Sequence, residues 1–254
     1  SYIQRDFGFD PDWKTFGDFL NKIEAGGISA NYISHIGHGT IRLEVMGRDH
    51  RRKATDEEIN KMKSYINDAM EAGAFGMSVG LDYPPGAYSD FNELLELAKE
   101  LKRYDGIYTA HWRKTGLREG IPKKQKKIDG IIETLEIAKQ ADIQGHLSHI
   151  SIGYDVFPAK DPYMMKASAE RTLQVFDSYL LNGTNAAFDV IPNDVCGTII
   201  VPDLICLFEP WLRLYGSIEQ FIRNINAPDV RRNIAEYILS GKYYDINPFV
   251  SPDW

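Results

Sequence analysis

Short apolar runs alternate with amphipathic helical patterns along most of this chain. The apolar runs begin at intervals of 32 to 44 residues. The stretches between them, such as residues 128–141, have the spacing of apolar positions that is typical of a helix. A strand–helix–strand order favours a parallel sheet, because parallel neighbours need a long crossover connection. The predicted strands are Ala30–Gly37, Ala74–Leu81, Gly106–Trp112, Ile143–Ile150 and Ala186–Ile191.

Helix starts are marked by polar caps followed by acidic residues. Thr55-Asp-Glu-Glu opens one predicted helix, and Ser89-Asp-Phe-Asn-Glu opens another. The stretch 202–235 reads as several short helices that are broken at Pro210, Gly216 and Pro228.

Five strand units are fewer than the eight that close a barrel. We therefore expect an α/β fold of the TIM-barrel type, (β/α)n, with parallel strands, outer helices and an incomplete barrel. Residues 1–254 are expected to form a single domain of this type or a fragment of one. The abrupt start, a loop entering a helix near Asp10, suggests the middle of a longer protein or a strongly reduced version of one.

Composition narrows the function classes. The 254 residues are 43% hydrophobic, which is enough for a large core, and the net charge of −7 argues against a general nucleic-acid binder. Apolar runs are too short for a membrane span. Two cysteines, Cys196 and Cys206, suggest free thiols in a reducing compartment, and we expect a cytoplasmic protein.

His111 and His149 are the main candidates for chemistry. Each lies near the end of a predicted strand, and the two strands are consecutive. The carboxyl ends of parallel strands share one rim, where α/β barrels carry their active sites. Imidazole suits zinc and iron. The pair therefore predicts a shared metal site, with capped core histidines as the alternative.

Six stretches in order resemble the D-aminoacylase (N-acyl-D-amino-acid deacylase) branch of the amidohydrolase superfamily. They cover roughly residues 10 to 192. The stretches are Pro11-Asp-Trp-Lys-Thr-Phe16, Ile36-Gly-His-Gly-Thr-Ile-Arg42 with Val45-Met-Gly47, Gly73-Ala-Phe-Gly-Met-Ser-Val-Gly-Leu-Asp-Tyr-Pro-Pro-Gly86, Gly106-Ile-Tyr-Thr-Ala-His-Trp-Arg113, Leu147-Ser-His149 and Phe188-Asp-Val-Ile-Pro192.

The resemblance implies a zinc-dependent hydrolase of the amide bond of N-acyl-D-amino acids, with His111 and His149 as metal ligands. The family's upstream His-x-His pair, its Cys ligand and its general acid/base aspartate have no counterpart in this chain. No catalytic residue is therefore identified within it. Residues 1–254 alone are expected to show little deacylase activity, even with added zinc.

Substrate contacts are predicted at Tyr83 and Arg113. Tyr83 belongs to the loop 81–88, which resembles a family loop that forms one wall of the pocket. Arg113 follows His111 by two residues, so it points to the same side of the strand. Its guanidinium could bind a substrate carboxylate or pair with an Asp or Glu of the chain itself.

Other polar residues near this rim have alternative interpretations. Asp189 could orient a ligand histidine or cap a turn. For His38 we favour a structural or supporting role over ligation. His146 is expected on the other face, as a buried histidine with a partner. Cys196 could replace a ligand, but a core position is favoured. His35 and His50 are expected to be ordinary.

Two departures from the family bear on the substrate. Ser151 stands where the family usually has a lysine, and Ile191-Pro192-Asn193 replaces Tyr-Pro-Tyr. Besides N-acyl-D-amino-acid deacylation, two hypotheses therefore stay open. One is an amidohydrolase for another amide, such as a cyclic amide or an N-acyl dipeptide. The other is a non-catalytic, barrel-derived binding or assembly domain.

Overall fold

The structure, a computed structural model, describes residues 11–113, 127–151, 161–191 and 208–239. It contains a five-stranded sheet in the order β1-β2-β3-β4-β5, and every neighbouring pair is parallel. The strands are β1 Ile36–Gly37, β2 Gly76–Gly80, β3 Ile107–His111, β4 Gln144–Leu147 and β5 Ala186–Phe188. The predicted α/β architecture with parallel strands is confirmed, and the sheet formed by these residues does not close into a barrel.

One helix precedes the first strand, and the others connect the strands or follow the last one. They are α1 Phe16–Gly26, α2 His38–Met46, α3 Asp56–Glu71, α4 Phe91–Leu101, α5 Lys127–Ala141, α6 Pro162–Leu181, α7 Glu209–Tyr215, α8 Ile218–Asn224 and α9 Pro228–Leu239. The predicted cap at Thr55 is present and forms a capping box with Glu58. Helix α4 is capped by Asp90, one residue after the predicted start.

The core lies between the sheet and helices α3 to α6. Alternate residues of the strands, such as Met77, Tyr108 and Leu147, pack with the apolar faces of the helices in one cluster. The residues between them, such as Thr109 and His111, face the opposite side of the sheet and are only partly buried. This opposite face, together with the carboxyl ends of the strands, is where polar side chains gather.

The predicted extent of the first strand was wrong. It was predicted over Ala30–Gly37, but only Ile36–Gly37 pair with β2, because β1 lies at the sheet edge and α2 begins directly at His38. The breaks predicted at Gly216 and Pro228 are observed between α7, α8 and α9. Pro210 is the second residue of α7, where proline is tolerated because N–H groups of the first turn have no intrahelical acceptor, and the residues before 208 lie outside the described ranges.

The last three helices build a separate apolar cluster around Trp211, Leu212 and Phe221. Residues 192–207 lie outside the described residues, and with them Cys196 and Cys206. The organisation of residues 1–254 as one domain therefore stays a prediction. Within the described ranges, no helix is long and apolar enough to cross a membrane.

Candidate metal and substrate site

The two histidines singled out by the sequence meet at the carboxyl rim of the sheet. His111 is the last residue of β3, and His149 follows the end of β4 by two residues. Their ring centroids are 4.6 Å apart, and His111 Nδ1 lies 2.9 Å from His149 Nε2. The proximity expected from the strand order is observed.

This spacing fits a shared metal ion. Zinc binds imidazole nitrogen at about 2.0–2.1 Å, so two such nitrogens at a tetrahedral angle are about 3.3 Å apart. The observed separation of 2.9 Å is close to that value, and a small rotation of either ring covers the difference. Without a metal, the same pair forms one hydrogen bond, with one neutral ring donating and the other accepting.

Asp82 lies on the far side of His111 from His149. Its carboxylate is buried, and Oδ2 is 3.6 Å from His111 Nε2. One ring nitrogen of His111 thus faces the other histidine while the second faces a carboxylate. Metal-binding histidines commonly donate their second ring N–H to a carboxylate, which fixes the ring and raises its basicity. The Asp82–His111 separation of 3.6 Å is an ion-pair distance, longer than a hydrogen bond. Sequence analysis missed Asp82, although it closely follows the end of β2, the neighbour of β3.

Asp189 holds the segment that carries His149. Its Oδ1 accepts the backbone N–H of His149 at 2.6 Å, and Oδ2 lies 2.7 Å from His146 Nε2. Partial burial raises the pKa of Asp189, but the hydrogen bonds with His146 and His149 outweigh it, and the net pKa is lowered. The bond to His149 agrees with the first role considered from the sequence, support of a candidate ligand, whereas a cap on the turn that follows Asp189 stays a prediction.

The backbone of His149 explains why this support matters. Its φ of 41° lies in the left-handed region, which costs energy for a residue other than glycine. Such conformations persist at functional sites when surrounding contacts hold them. Ile150 also donates its backbone N–H to the carbonyl of Asp189, at 2.8 Å.

The prediction for His146 was wrong. His146 pairs with Thr109 in the β3–β4 register, so it shares the sheet face of His111, and its side chain is 28% exposed rather than buried. The alternation argument failed because His149 lies beyond the strand, in the turn. His35 is also near this face: burial lowers its pKa first, and the neighbouring charge of His146 lowers it further. His50 is ordinary, with its ring bonded to the Gly47 carbonyl.

Tyr83 covers the histidine pair from the β2 side. Its ring centroid is 5.2 Å from that of His111. The ring lies so close to Gly80 that a Cβ at that position would overlap it, which explains the glycine. The substrate contact of Tyr83 stays a prediction. Such a contact requires Tyr83 to lie beside His111, as it does.

Arg113 is buried and bonded within the chain. Its Nε donates to Glu133 at 2.9 Å, and its two terminal nitrogens donate to backbone carbonyls of the segment 81–89. Only 1% of the residue is exposed. This arrangement corresponds to the second alternative, an internal ion pair, and direct contact with a substrate carboxylate stays an untested prediction.

His38 lies in a buried ionic network at the amino end of α2. Its Nε2 is 2.8 Å from Glu93, and Arg42 donates to the other oxygen of the same carboxylate. Burial raises the pKa of Glu93, but these two partners outweigh it, and the net pKa is lowered. The network agrees with the structural role favoured for His38, while Arg42 and Glu93 were not recognised in the sequence.

Among residues 11–113, 127–151, 161–191 and 208–239, no three His, Cys, Asp or Glu side chains form a group that could hold a metal ion. The described site thus offers two imidazoles, His111 and His149, as candidate ligands. The candidate replacement Cys196 falls outside these ranges.

Known proteins bear out the resemblance. No protein-family model matches the chain. A D-aminoacylase of Alcaligenes xylosoxydans xylosoxydans is 34% identical over 54% of this chain and 26% of its own length. An N-acyl-D-glutamate deacylase of the same organism is 28% identical over 77% of this chain and 37% of its length. The chain thus spans between a quarter and two fifths of these relatives.

Solved structures give the same picture for the fold. A D-aminoacylase described as defining a novel subset of amidohydrolases superposes with a TM-score of 0.59 at 27% identity, covering 70% of this chain and 34% of the other. An N-acyl-D-glutamate deacylase of Bordetella bronchiseptica, at 24% identity and a TM-score of 0.59, covers 72% of this chain and 35% of its own and supports the fold alone. The resemblance inferred from the sequence is therefore confirmed: this chain is related to a part of the D-aminoacylases and N-acyl-D-amino-acid deacylases of the amidohydrolase type.

Proposed function

We propose that the protein is a metal-dependent amidohydrolase that cleaves the amide bond of N-acyl-D-amino acids. The observation that carries the proposal is the His111–His149 pair, with nitrogens 2.9 Å apart at the carboxyl rim of a parallel sheet. We propose zinc as the metal. In support, one related D-aminoacylase structure concerns a binuclear metal centre, and the related N-acyl-D-glutamate deacylase was solved with zinc.

In this proposal His111 Nδ1 and His149 Nε2 hold the metal. The metal, when bound, polarises the amide carbonyl and lowers the pKa of its water. The chain's own residues orient the two histidines and enclose the substrate. Asp82 keeps the His111 ring in place, Asp189 fixes the backbone of His149, and Tyr83 forms one wall of the substrate pocket.

Proton transfer is not assigned to a described residue. Hydrolysis needs a group that passes a proton to the leaving amine. The two rim carboxylates described above, Asp82 and Asp189, each face a histidine that they orient. The described residues offer two candidate imidazole ligands, and we therefore propose that residues 1–254 hydrolyse amides poorly on their own. Because the relatives are longer, we propose that the activity belongs to a longer chain that contains these residues.

A second candidate function is the hydrolysis of a different amide, such as a cyclic amide or an N-acyl dipeptide. Ser151 and the Ile191-Pro192-Asn193 stretch favour it, because they remove a cation and two phenols expected near the substrate. In either case the substrate is a small molecule. We also propose a cytoplasmic location, which rests on the low cysteine content.

The test is release of amine from a panel of N-acetyl-D-amino acids, with and without zinc, in residues 1–254 and in a longer chain. We expect zinc-dependent turnover in the longer chain that His111→Ala abolishes and His50→Ala preserves. The N-acetyl-L-amino acids serve as stereochemical controls. Cyclic amides and N-acyl dipeptides are assayed beside this panel, and turnover restricted to them would instead support the second candidate. Inactivity of the longer chain on all amides, with intact zinc binding, would favour the binding-domain hypothesis.

A further inference from the structure

The segment 81–89 connects β2 to the start of α4 and carries Asp82 and Tyr83, which face His111 on the side of β2. Its first residue is held by the sheet, because Leu81 N–H donates to the His111 carbonyl at 3.0 Å. The backbone bonds within the segment are short-range, such as Ala87 N–H to the Tyr83 carbonyl at 2.9 Å and Ser89 N–H to the Gly86 carbonyl at 3.0 Å. Contacts that fix its two ends therefore help to set its shape.

Arg113 bonds to both ends of this segment. One terminal nitrogen donates to the Leu81 carbonyl at 3.3 Å and to the Ala87 carbonyl at 3.0 Å. The other donates to the Ser89 carbonyl at 3.1 Å. A planar guanidinium presents five donors in a fixed fork, so it can join three carbonyls of one nine-residue segment. These three bonds close the segment into a loop beneath Tyr83.

Arg113 itself is held rigidly. Glu133 on α5 accepts from its Nε at 2.9 Å and balances its buried charge. Helix α5 also packs directly on the backbone of Arg113, since a Cβ at Gly130 would overlap the Arg113 carbonyl. A buried cation with a carboxylate partner and three carbonyl acceptors has little freedom to reach outward to a ligand.

The far end of the segment is anchored independently. It runs into α4 at the Asp90 cap, and Glu93 in the first turn of that helix is bound by His38 and Arg42. Asp82 and Tyr83 therefore lie on a loop clamped at both ends, with Arg113 as the clamp on the His111 side.

From this geometry we infer that Arg113 is a positioning residue, which sets the pocket wall by fixing Asp82 and Tyr83 against His111, and not a direct ligand for a substrate carboxylate. The importance of Arg113 for catalysis rests on the proposed function. Its effect on the order of the segment 81–89 can be measured without metal or substrate.

Hydrogen–deuterium exchange of the segment 81–89 tests this inference in residues 1–254. In Arg113→Ala, the amides of Ala87 and Ser89 should exchange about tenfold faster or more. The carbonyls of the segment lose the Arg113 donors, and the loop can then open. Arg113→Lys should give an intermediate increase, since an ammonium cannot reproduce the fork. Leu135→Ala, which removes a fully buried side chain from α5, controls for general loss of stability.

Rescue separates hydrogen bonding from simple packing. Low millimolar guanidinium should restore slow exchange in Arg113→Ala, whereas methylammonium at the same concentration should not, because only guanidinium has the planar fork. Unchanged exchange in Arg113→Ala, a uniform increase identical to that of Leu135→Ala, or rescue by both cations would overturn the inference. If the longer chain hydrolyses no amide while the clamp result holds, the proposed function fails and the clamp stands. If the longer chain is active but loop exchange is unchanged in Arg113→Ala, the proposed function stands and the clamp fails.

Discussion

The Nδ1 atom of His111 lies 2.9 Å from the Nε2 atom of His149, although 38 residues separate them along the chain. The crossover through α5 brings them together, because it makes β3 and β4 parallel neighbours that end at the same rim. Flanking carboxylates on both sides, Asp82 beside His111 and Asp189 beside the backbone of His149, give the pair the surroundings of a metal site.

Zinc affinity should depend on both histidines. We expect His111→Ala and His149→Ala each to weaken zinc binding about tenfold or more, because each removes one of two imidazole ligands. Isothermal titration with zinc alone measures this. His50→Ala is the matched control, since the described contacts of the His50 ring are with the Gly47 carbonyl and the Tyr88 ring, away from His111 and His149. Equal affinities for all four proteins would contradict the assignment of the site.

Asp189 should control the order of the turn at His149. In Asp189→Ala, the backbone N–H of His149 loses its acceptor, and its left-handed conformation loses support. We expect faster hydrogen exchange in residues 148–150 and weaker zinc binding. Asp189→Asn should be milder, because its amide oxygen can still accept one bond. Asp177→Ala on α6 is the control for loss of an exposed aspartate. Unaltered exchange in the turn would show that Asp189 is not its support.

The sequence predicted those parts of the molecule that depend on local pattern. Alternating apolar runs identified all five strands, and the strand ends placed His111 and His149 on one rim. Other contacts between residues that are distant in the sequence were not predicted. Glu93 meets His38 across 55 residues, and the Arg113 fork reaches carbonyls up to 32 residues away. Charged side chains in isolation look like surface residues, and only the packed fold shows that they are buried with partners.

The buried Glu93 network should be strongly coupled. Glu93→Leu leaves the charge of Arg42 buried without its carboxylate, and we expect it to lower the free energy of unfolding by about 3–5 kcal/mol. Adding Arg42→Met should recover part of that loss, because the uncompensated charge is then gone. Urea unfolding of the two single variants and the double variant gives the coupling. Strictly additive effects would mean that the residues act independently.

Stability at acid pH should report on Glu58 at the start of α3. Both oxygens of this carboxylate accept from Arg52, at 2.7 and 2.8 Å, and these bonds lower the pKa of Glu58 to about 2. A carboxyl with a lowered folded-state pKa stabilises the fold above its unfolded pKa and loses that contribution as the pH falls through the folded value.

At neutral pH we therefore expect Glu58→Gln to lower the free energy of unfolding by about 1 kcal/mol, a value reduced for the partial exposure of the pair. The gap to the wild type should narrow below a pH of about 4 and nearly vanish near pH 2, since Glu58 is then increasingly protonated in the wild type as well. Urea unfolding across this range measures the gap. Glu57→Gln, an exposed carboxylate in the same helical turn, controls for the loss of one negative charge near the helix start. A gap for Glu58→Gln that stays constant from pH 7 to acid would show that Arg52 binds its neutral and charged forms equally.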